Sequence, residues 1–183
     1  MTVKSRTTID ILYHVPEGCK AEIVNGEVVL MSPTGAAPGF AGDEIFVSLR
    51  RHVKRVKVGR AVSDNKGFHV RLPHRESFSP DAAYYIGPDP GMKFYEGAPV
   101  FAAEVRSEGD YGDSAEAALV AKRADYFQAG TLVVWDVDLL SESVVRVYRA
   151  ADPEHPTVYG RTEIAEAEPA VPGWTMPVDD LFA

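Results

Sequence analysis

Two short apolar segments on either side of an alanine-rich segment constrain the fold of this chain most strongly. Residues 100–105 (VFAAEV) and 131–138 (TLVVWDVD) have the length and composition of buried strands. Residues 114–128 between them are rich in alanine and are predicted to form a helix that ends before Gly130, a glycine typical of the position after a helix. Strands separated by a helix predict an α/β domain in which this helix crosses the sheet.

Further strands and one long helix are predicted around this unit. Asn25-Gly26 within 21–31 is the strongest short signal for a β-hairpin. Apolar residues at helical spacing predict an amphipathic helix from about 41 to 57. The acidic, Pro-rich segment 152–170 is predicted to be a loop with one strand near Val158. The remaining predicted strands cover 60–64, 67–72, 81–86 and 143–150.

We therefore expect a single α/β domain over residues 1–183, with a mixed central β-sheet flanked by helices and an N-terminal β-hairpin extension. Hydrophobic residues make up 45% and charged residues 25% of the chain, as in ordinary globular domains. No apolar stretch approaches the roughly 20 residues that span a bilayer, and the N-terminal segment lacks the apolar core of a signal peptide. These features predict a cytoplasmic protein. Cys19 is the single cysteine, which excludes an intramolecular disulfide.

Two acidic residues in the middle of the chain have unusual neighbours. Asp81 follows Pro80 at the first position of a predicted strand, and Glu104 interrupts an apolar run. An ionised glutamate is costly to bury unless it is paired or bound to a metal. Neighbouring strands lie about 4.8 Å apart, so both carboxylates could bind one hard cation if the strands pair in register. Mg²⁺ suits this arrangement, with the carbonyl of Val105 as a further ligand. Alternatively, Asp81 only caps its strand.

Two cationic residues follow these acids. Arg106 lies two positions after Glu104 and so shares its face of the strand, and Lys122 lies in the predicted helix. A cation beside a metal-bound carboxylate pair can orient a water molecule and stabilise the charge of a pentavalent phosphorane. Two acids, a metal and a cation therefore indicate phosphodiester hydrolysis. Alternatively, Arg106 forms a salt bridge with Glu104 or Asp81, and Lys122 is a solvated surface charge.

The order of these motifs resembles the Uma-two family of restriction endonuclease-like proteins, a bacterial branch of the PD-(D/E)XK nuclease superfamily. The opening AEIVNGEVVLMSPTG and the ending VPGWTMPVDDLF are also similar to the ends of that family. The resemblance thus spans nearly the whole chain. It lies in Pro80-Asp81, Glu104-Val105-Arg106-Ser107, Lys122 to Tyr126, Gly130 and Trp135-Asp136-Val137-Asp138.

This resemblance implies a restriction-endonuclease-like core in which Asp81 and Glu104 are metal ligands. In the superfamily a lysine stands two residues after the glutamate, where this chain has Arg106. The family supplies its lysine from the next helix, which here is Lys122. Either Lys122 or Arg106 would then orient the attacking water.

The resemblance also implies an additional acid and shows two departures. Glu22 and Glu44 are candidates for the acidic residue that the superfamily often adds from its N-terminal part. The family commonly has a histidine at the start of the long helix, where residues 39–43 of this chain are GFAGD. It often has an acid one turn before the helix lysine, where this chain has Ala118.

A basic segment at 50–60 (RRHVKRVKVGR) contains six Lys and Arg residues and no acid, in a chain with a formal net charge of −8. Helical spacing predicts one basic face opposite Leu49, Val53 and Val56. Such a face could contact DNA, because Lys and Arg that neutralise phosphates supply most non-specific affinity. The alternative is an ordinary solvated helix surface. The candidate residues for contact with the DNA backbone are Arg50, Arg51, Lys54, Arg55 and Lys57.

The function predicted from these observations is hydrolysis of DNA by an endonuclease that uses Mg²⁺, with Mn²⁺ as another usable metal. A homodimer is expected, because two copies of one site most simply cut both strands of a duplex. No membrane partner is expected. The alternative is a binding module that keeps the nuclease fold with a degraded site, and the two departures from the family pattern favour it. A small-molecule hydrolase with the same acids is a third possibility, without support from a pocket signature.

Overall fold

The computed structural model describes residues 9–17 and 19–183. It has two α-helices in this part of the chain, α1 (Ala36–Val56) and α2 (Asp113–Gln128), and 3-10 helices at Ile9–His14 and Val178–Leu181. The strands are β1 (Lys20–Val24), β2 (Glu27–Met31), β3 (Arg60–Ser63), β4 (Phe68–His69), β5 (Ser77–Phe78), β6 (Ala82–Tyr85), β7 (Tyr95–Glu96), β8 (Phe101–Val105), β9 (Val133–Val137), β10 (Val145–Arg149), β11 (Asp152–Tyr159), β12 (Ile164–Glu166) and β13 (Thr175–Pro177).

A six-stranded mixed sheet forms the centre of the fold, in the order β11-β10-β9-β8-β6-β3. The strands β8 and β9 are parallel and are connected through α2, whereas the other neighbouring pairs are antiparallel. Three smaller sheets, β1-β2, β12-β13 and β5-β4-β7, accompany it. The predicted α/β fold with a mixed central sheet and a helix that crosses it is confirmed.

The two faces of the central sheet contact different helices, because successive strand residues point to opposite faces. Phe101 packs with Leu49 of α1 in one apolar core, and both are fully buried. Ala102 packs with Tyr126 of α2 in the other core. Glu104 shares a face with Ala102, so its carboxylate points towards α2.

The N-terminal hairpin forms where Asn25-Gly26 predicts it. Asn25 and Gly26 have φ angles of 53° and 75°, as a type I′ turn requires. The other edge of β1 joins the rest of the fold, because Glu76 N–H donates to the Ile23 carbonyl at 3.0 Å and Asn25 N–H donates to the His74 carbonyl at 2.6 Å. The hairpin extension is therefore attached to residues 74–76 by backbone hydrogen bonds.

The long helix begins earlier than predicted and ends within one residue of the predicted position. It begins at Ala36 rather than near residue 41, with Pro38 in its first turn. A proline is tolerated there, because the first N–H groups of a helix have no partner within the helix. The helix ends at Val56, which is 38% exposed rather than buried as the apolar spacing predicts.

The acidic, Pro-rich segment 152–170 contains more strand than predicted. Asp152–Tyr159 form β11, which includes Pro153 and Pro156. Among the described residues, this strand lies at the edge of the central sheet and pairs with β10 alone. An edge strand accommodates proline because the N–H groups on its outer side need no ladder partner.

The C-terminal segment packs back onto the central sheet, as its apolar residues predict. Trp174 is 2% exposed and stacks on Trp135 with 4.9 Å between ring centroids. Leu181 is buried in the same core, and Phe182 packs against it partly buried. In the described residues, no helix has an apolar stretch of sufficient length to cross a membrane.

Candidate active site

Asp81 and Glu104 lie opposite each other at one end of the central sheet. The antiparallel register of β6 and β8 places Ala82 opposite Ala103, so the next pair in that register is Asp81 and Glu104. The backbone N–H of Asp81 also donates to the Ala103 carbonyl at 3.1 Å. Residues opposite each other in an antiparallel pair point to the same face. Glu104 faces α2, and the carboxylates of Asp81 and Glu104 line one cavity.

Each oxygen of the Asp81 carboxylate has a partner. Its Oδ2 accepts a hydrogen bond from the Val105 N–H at 2.8 Å. Its Oδ1 lies 2.8 Å from Nζ of Lys20 in β1, and this Nζ also lies 2.7 Å from Oδ1 of Asp64. Burial opposes the charge of Lys20, but the charges of Asp81 and Glu104 together with the hydrogen bonds to Asp64 and Asp81 outweigh burial and raise the pKa of Lys20. Lys20 is therefore a charged partner of Asp81 at neutral pH.

Glu104 is bound by two residues that lie one turn apart on α2. Lys122 Nζ lies 2.9 Å from its Oε2, and the Tyr126 hydroxyl donates to its Oε1 at 2.6 Å. Burial raises the pKa of Glu104, and the charge of Asp81 adds to this rise, although Lys122 and Lys20 oppose it. Burial and the charge of Glu104 also raise the pKa of Tyr126 well above its ordinary value, so its hydroxyl remains a donor.

Lys122 joins Glu104 to a second buried acid, Glu22 of β1. Lys122 Nζ lies 3.1 Å from Oε1 of Glu22, and Arg75 Nη1 lies 2.5 Å from its Oε2. Burial alone would raise the pKa of Glu22, but the charges of Lys122 and Arg75 and a hydrogen bond from the Ser79 N–H outweigh it, so this pKa is lowered. Burial opposes the charge of Lys122, yet Glu104 and Glu22 raise its pKa. Lys122 is therefore a permanent cation between two carboxylates.

Arg106 points to the same side of the sheet but has other partners. Its Nε and Nη2 donate to the two carboxylate oxygens of Asp136, each at 2.7 Å, and its Nη1 bonds to Glu116 of α2. These hydrogen bonds to Asp136 are the main reason that the pKa of Arg106 is raised. The expected salt bridge of Arg106 with Glu104 or Asp81 is thus wrong, because β9 brings Asp136 alongside β8 at this level.

An open cavity of about 860 Å³ lies at this end of the sheet. Its walls include Met31 at the end of β2, residues 32–35 between β2 and α1, residues 106–111 after β8, and the first turns of α2. The predicted acids and cations of the site therefore lie around one cavity. The predicted site residues that line it are Asp81, Glu104, Val105, Arg106 and Lys122, and Lys20 lines it with them.

The two candidates for an additional acid lie in different places. Glu22 is 4% exposed and belongs to the ion-pair cluster around Lys122. Glu44 lies half-buried on α1, and within residues 9–17 and 19–183 its side chain forms no hydrogen bond or ion pair. Glu22 is therefore the acid that the structure brings to the predicted residues.

The basic residues lie towards the far end of α1. Gly42 of α1 packs against Asp81, where an added Cβ would lie 3.5 Å from the Asp81 Cβ. Arg50 begins the basic segment about 12 Å further along the helix, at 1.5 Å per residue. Lys57 follows the last residue of α1 in a left-handed conformation, outside the predicted helical face. In the part of the chain that the structure describes, none of the five basic candidates pairs with an acid.

Lys20 and the hydroxyl of Tyr126 are site groups that sequence reasoning does not identify. Tyr126 lies four residues after Lys122, which places both on one helix face, and this spacing is a usable signal. Lys20 lies two residues before Glu22 in β1 and therefore shares its face. That signal becomes useful only when Glu22 is known to be in the site.

Asp81, Glu104 and Val105 offer a donor set that fits Mg²⁺. Among the described residues, no group of three or more His, Cys, Asp or Glu side chains could hold a metal ion by itself. Mg²⁺ is usually bound by one or two carboxylates and takes its other ligands from water and phosphates. Two opposed carboxylates at an open cavity match that pattern, and Lys20 and Lys122 balance their charge in the structure.

The sequence matches the profile of a family, Uma2, described as "Putative restriction endonuclease", over residues 8–179. Among solved structures, the fold is similar to that of "a putative nuclease belonging to DUF820 from Anabaena variabilis ATCC 29413". That similarity has a TM-score of 0.72 at 18% sequence identity and covers 96% of this chain and 97% of the other. No curated protein matches the sequence.

Proposed function

The chain belongs to the Uma2 family, and from this premise we propose that it is a metal-dependent endonuclease that hydrolyses phosphodiester bonds of DNA. The observation that supports the proposal most strongly is the opposed carboxylate pair of Asp81 and Glu104 in one cavity with Lys122. Hydrolysis of a phosphodiester needs a cation at the phosphate and an oriented water. This cavity has residues suited to both tasks.

In this proposal Asp81, Glu104 and the carbonyl of Val105 hold Mg²⁺, or Mn²⁺ in its place. When bound, such an ion polarises the phosphodiester and makes a water molecule more acidic. The carboxylate of Asp81 is oriented for this task by the Val105 N–H, and that of Glu104 by the Tyr126 hydroxyl.

Lys122 orients the attacking water and offsets the negative charge that develops at phosphorus during in-line displacement. Its raised pKa keeps it protonated at neutral pH, so it donates hydrogen bonds and does not act as a base. Glu22 holds the ammonium from the opposite side at 3.1 Å. Arg106 is the weaker candidate for this role, because Asp136 and Glu116 engage all three of its guanidinium nitrogens and its side chain is 7% exposed, against 17% for Lys122.

The basic residues Arg50, Arg51, Lys54, Arg55 and Lys57 contact the DNA backbone in this proposal. Among the described residues none of the five pairs with an acid, although Arg55 Nη2 lies 3.0 Å from Nδ1 of His52. Their positive charges are therefore not neutralised within this part of the chain, which supports a contact with phosphate. We expect two copies of the chain to act on one duplex, one on each strand.

The test is calorimetric titration of Mn²⁺ and Mg²⁺, with nicking of supercoiled plasmid measured in the same samples. The Asp81→Asn/Glu104→Gln double variant keeps the shape of both side chains and removes their charges. A matched control, Asp43→Asn/Glu154→Gln, removes the same charge from exposed positions. We expect wild type and control to bind metal and nick DNA, and the site variant to do neither while it unfolds cooperatively.

Absence of metal binding by wild type at millimolar concentration would contradict the proposal. The protein would then be a binding module on a nuclease fold with a degraded site. Two observations favour that alternative: both oxygens of each carboxylate already have partners, and Ala118 lines the cavity where the family often has an acid.

A further inference from the structure

Lys20 bonds to the candidate metal ligand from a separate part of the fold. It begins β1 of the N-terminal hairpin, and its Nζ lies 2.8 Å from Oδ1 of Asp81 beside the central sheet. Both side chains are nearly buried, with 12% and 13% of their surface exposed, and both residues line the cavity. The ammonium therefore occupies one of the two Asp81 oxygens that are available to bind a metal ion.

Lys20 has a second carboxylate partner outside the metal-binding pair. Its Nζ lies 2.7 Å from Oδ1 of Asp64, which follows β3 and has a side chain that is 39% exposed. Lys20 thus bridges a buried acid in the cavity and a more exposed acid at its margin. If Lys20 leaves Asp81, Asp64 can still neutralise the ammonium, so the movement does not leave the charge of Lys20 without a partner.

A divalent ion on Asp81 and an ammonium on the same carboxylate repel each other strongly at such short range. We propose that Lys20 is a displaceable cation, which neutralises Asp81 in the metal-free protein and moves onto Asp64 alone when the metal binds. This inference rests on the proposed function, because it requires a metal ion at Asp81. Lys20 acts through Asp81 and is therefore a positioning residue that sets metal affinity.

Asp64 gives this inference a specific signature. Removal of Lys20 eliminates the competitor, so metal affinity rises. Neutralisation of Asp64 leaves Lys20 with Asp81 as its one acidic partner, so the competitor is held more firmly and metal affinity falls. Without Lys20, Asp64 has no competitor to attract, and its neutralisation has little effect. A field effect of the Asp64 charge alone would instead lower affinity equally with and without Lys20.

The experiment is calorimetric titration of Mn²⁺ into wild type, Lys20→Met, Asp64→Asn and the double variant, with a thermal unfolding curve for each. Lys66→Met is the matched control, because it removes a lysine charge that contacts the Asp64 backbone carbonyl and is exposed to solvent. We expect Lys20→Met to bind Mn²⁺ about tenfold more tightly than wild type, and Lys66→Met to resemble wild type. Asp64→Asn should weaken binding about threefold in the presence of Lys20 and leave it unchanged in the Lys20→Met background.

Two results would overturn this inference and leave the proposed function intact. One is equal Mn²⁺ affinity of Lys20→Met and Lys66→Met. The other is an equal effect of Asp64→Asn on Mn²⁺ affinity with and without Lys20. Asp64→Asn changes an exposed side chain, so it tests the inference even if Lys20→Met is unstable. Absence of Mn²⁺ binding in every variant would overturn the metal site itself and the inference with it.

Discussion

The Tyr126 hydroxyl donates to Oε1 of Glu104 at 2.6 Å, while the Tyr126 ring stacks on Phe78 with 4.0 Å between centroids. One side chain thereby connects a candidate metal ligand to the apolar core on the α2 face of the sheet. The ring fixes the position of the hydroxyl, and the hydroxyl fixes one oxygen of the carboxylate. The Tyr126 ring therefore contributes to packing, and the Tyr126 hydroxyl orients Glu104. A substitution that removes only the hydroxyl can separate these two effects.

Tyr126→Phe should keep the ring stack and remove the donor to Glu104. A hydrogen bond to a charged group contributes about 1.5 to 3 kcal/mol, so we expect Mn²⁺ affinity to fall about tenfold. The donor favours the ionised carboxylate, so its loss should raise the pKa of Glu104 further and make the defect larger at lower pH. Calorimetry at several pH values measures this effect. Tyr84→Phe, which loses a hydrogen bond to the Val58 carbonyl, should bind metal normally, and a normal Tyr126→Phe would contradict the prediction.

Lys122→Met should impair both folding stability and activity. It leaves Glu104 and Glu22 buried without their shared cation, so we expect the free energy of unfolding to fall by about 3 kcal/mol. Nicking should fall about a hundredfold under conditions in which the variant is folded. Arg123→Met is the control on the same helix: it removes a cation over the Tyr148 ring and should cost about 1 kcal/mol or less. Normal nicking by Lys122→Met would exclude Lys122 from catalysis.

Arg106→Lys tests whether Arg106, rather than Lys122, orients the attacking water. Lysine keeps the charge but cannot bond both oxygens of Asp136 as the guanidinium does. We expect the free energy of unfolding, measured with urea, to fall by about 2 kcal/mol, because Asp136 is buried. Mn²⁺ affinity should remain near that of wild type. A stable Arg106→Lys variant that binds metal but no longer nicks DNA would assign the role to Arg106 instead of Lys122.

Glu22→Gln should destabilise the fold in a pH-dependent way. The folded state lowers the pKa of Glu22 below its ordinary value of 4.5, so its ionised form stabilises the fold. That contribution is complete above the unfolded pKa and is lost as the pH falls through the folded pKa. We therefore expect the difference in unfolding free energy between wild type and Glu22→Gln to be about 3 kcal/mol at pH 7 and to shrink below pH 4.5. Urea denaturation across this range measures it, and a constant difference would contradict the prediction.

Arg51→Gln/Lys54→Gln should weaken DNA binding without a change in metal affinity. Each phosphate contact contributes about 0.9 to the slope of log K against log salt concentration, so the slope should fall by about two. Fluorescence anisotropy with a short duplex at several salt concentrations measures this slope. Arg71→Gln/Lys93→Gln removes the same charge at other exposed positions and should have a smaller effect. Equal slopes for the two variants would identify the α1 surface as merely solvated.

The sequence predicts the elements of the fold where local signals are strong. Asn25-Gly26 specifies its hairpin, and helix α2 at Asp113–Gln128 nearly matches the predicted 114–128. The predicted bounds of helix α1 and strand β11 are wrong where each contains a proline, because proline can either interrupt an element or be tolerated within it. Pro38 in the first turn of α1 and Pro153 in the edge strand β11 both suggest a break, and in both cases the missing N–H has no partner to lose.

The candidate site is predictable only where its residues interrupt a pattern. Glu104 stands out because it is an acid within an apolar strand, and Asp81 becomes relevant through its register with that strand. Lys20 and Arg75 look like ordinary charged residues in the sequence. Their importance comes from partners far away along the chain, such as Asp81 and Glu22, and no local spacing encodes such contacts.

The order of the site residues along the chain has a consequence for the protein during its own synthesis. Lys20 and Glu22 emerge from the ribosome early, whereas Lys122 and Tyr126 follow only after the whole of β8 and the first turns of α2. Under the proposed function, a nascent chain that stops before α2 contains both metal-binding acids but lacks the cation that orients water. If Lys122 has the proposed role, cleavage of DNA requires that α2 has been made and has folded onto the sheet.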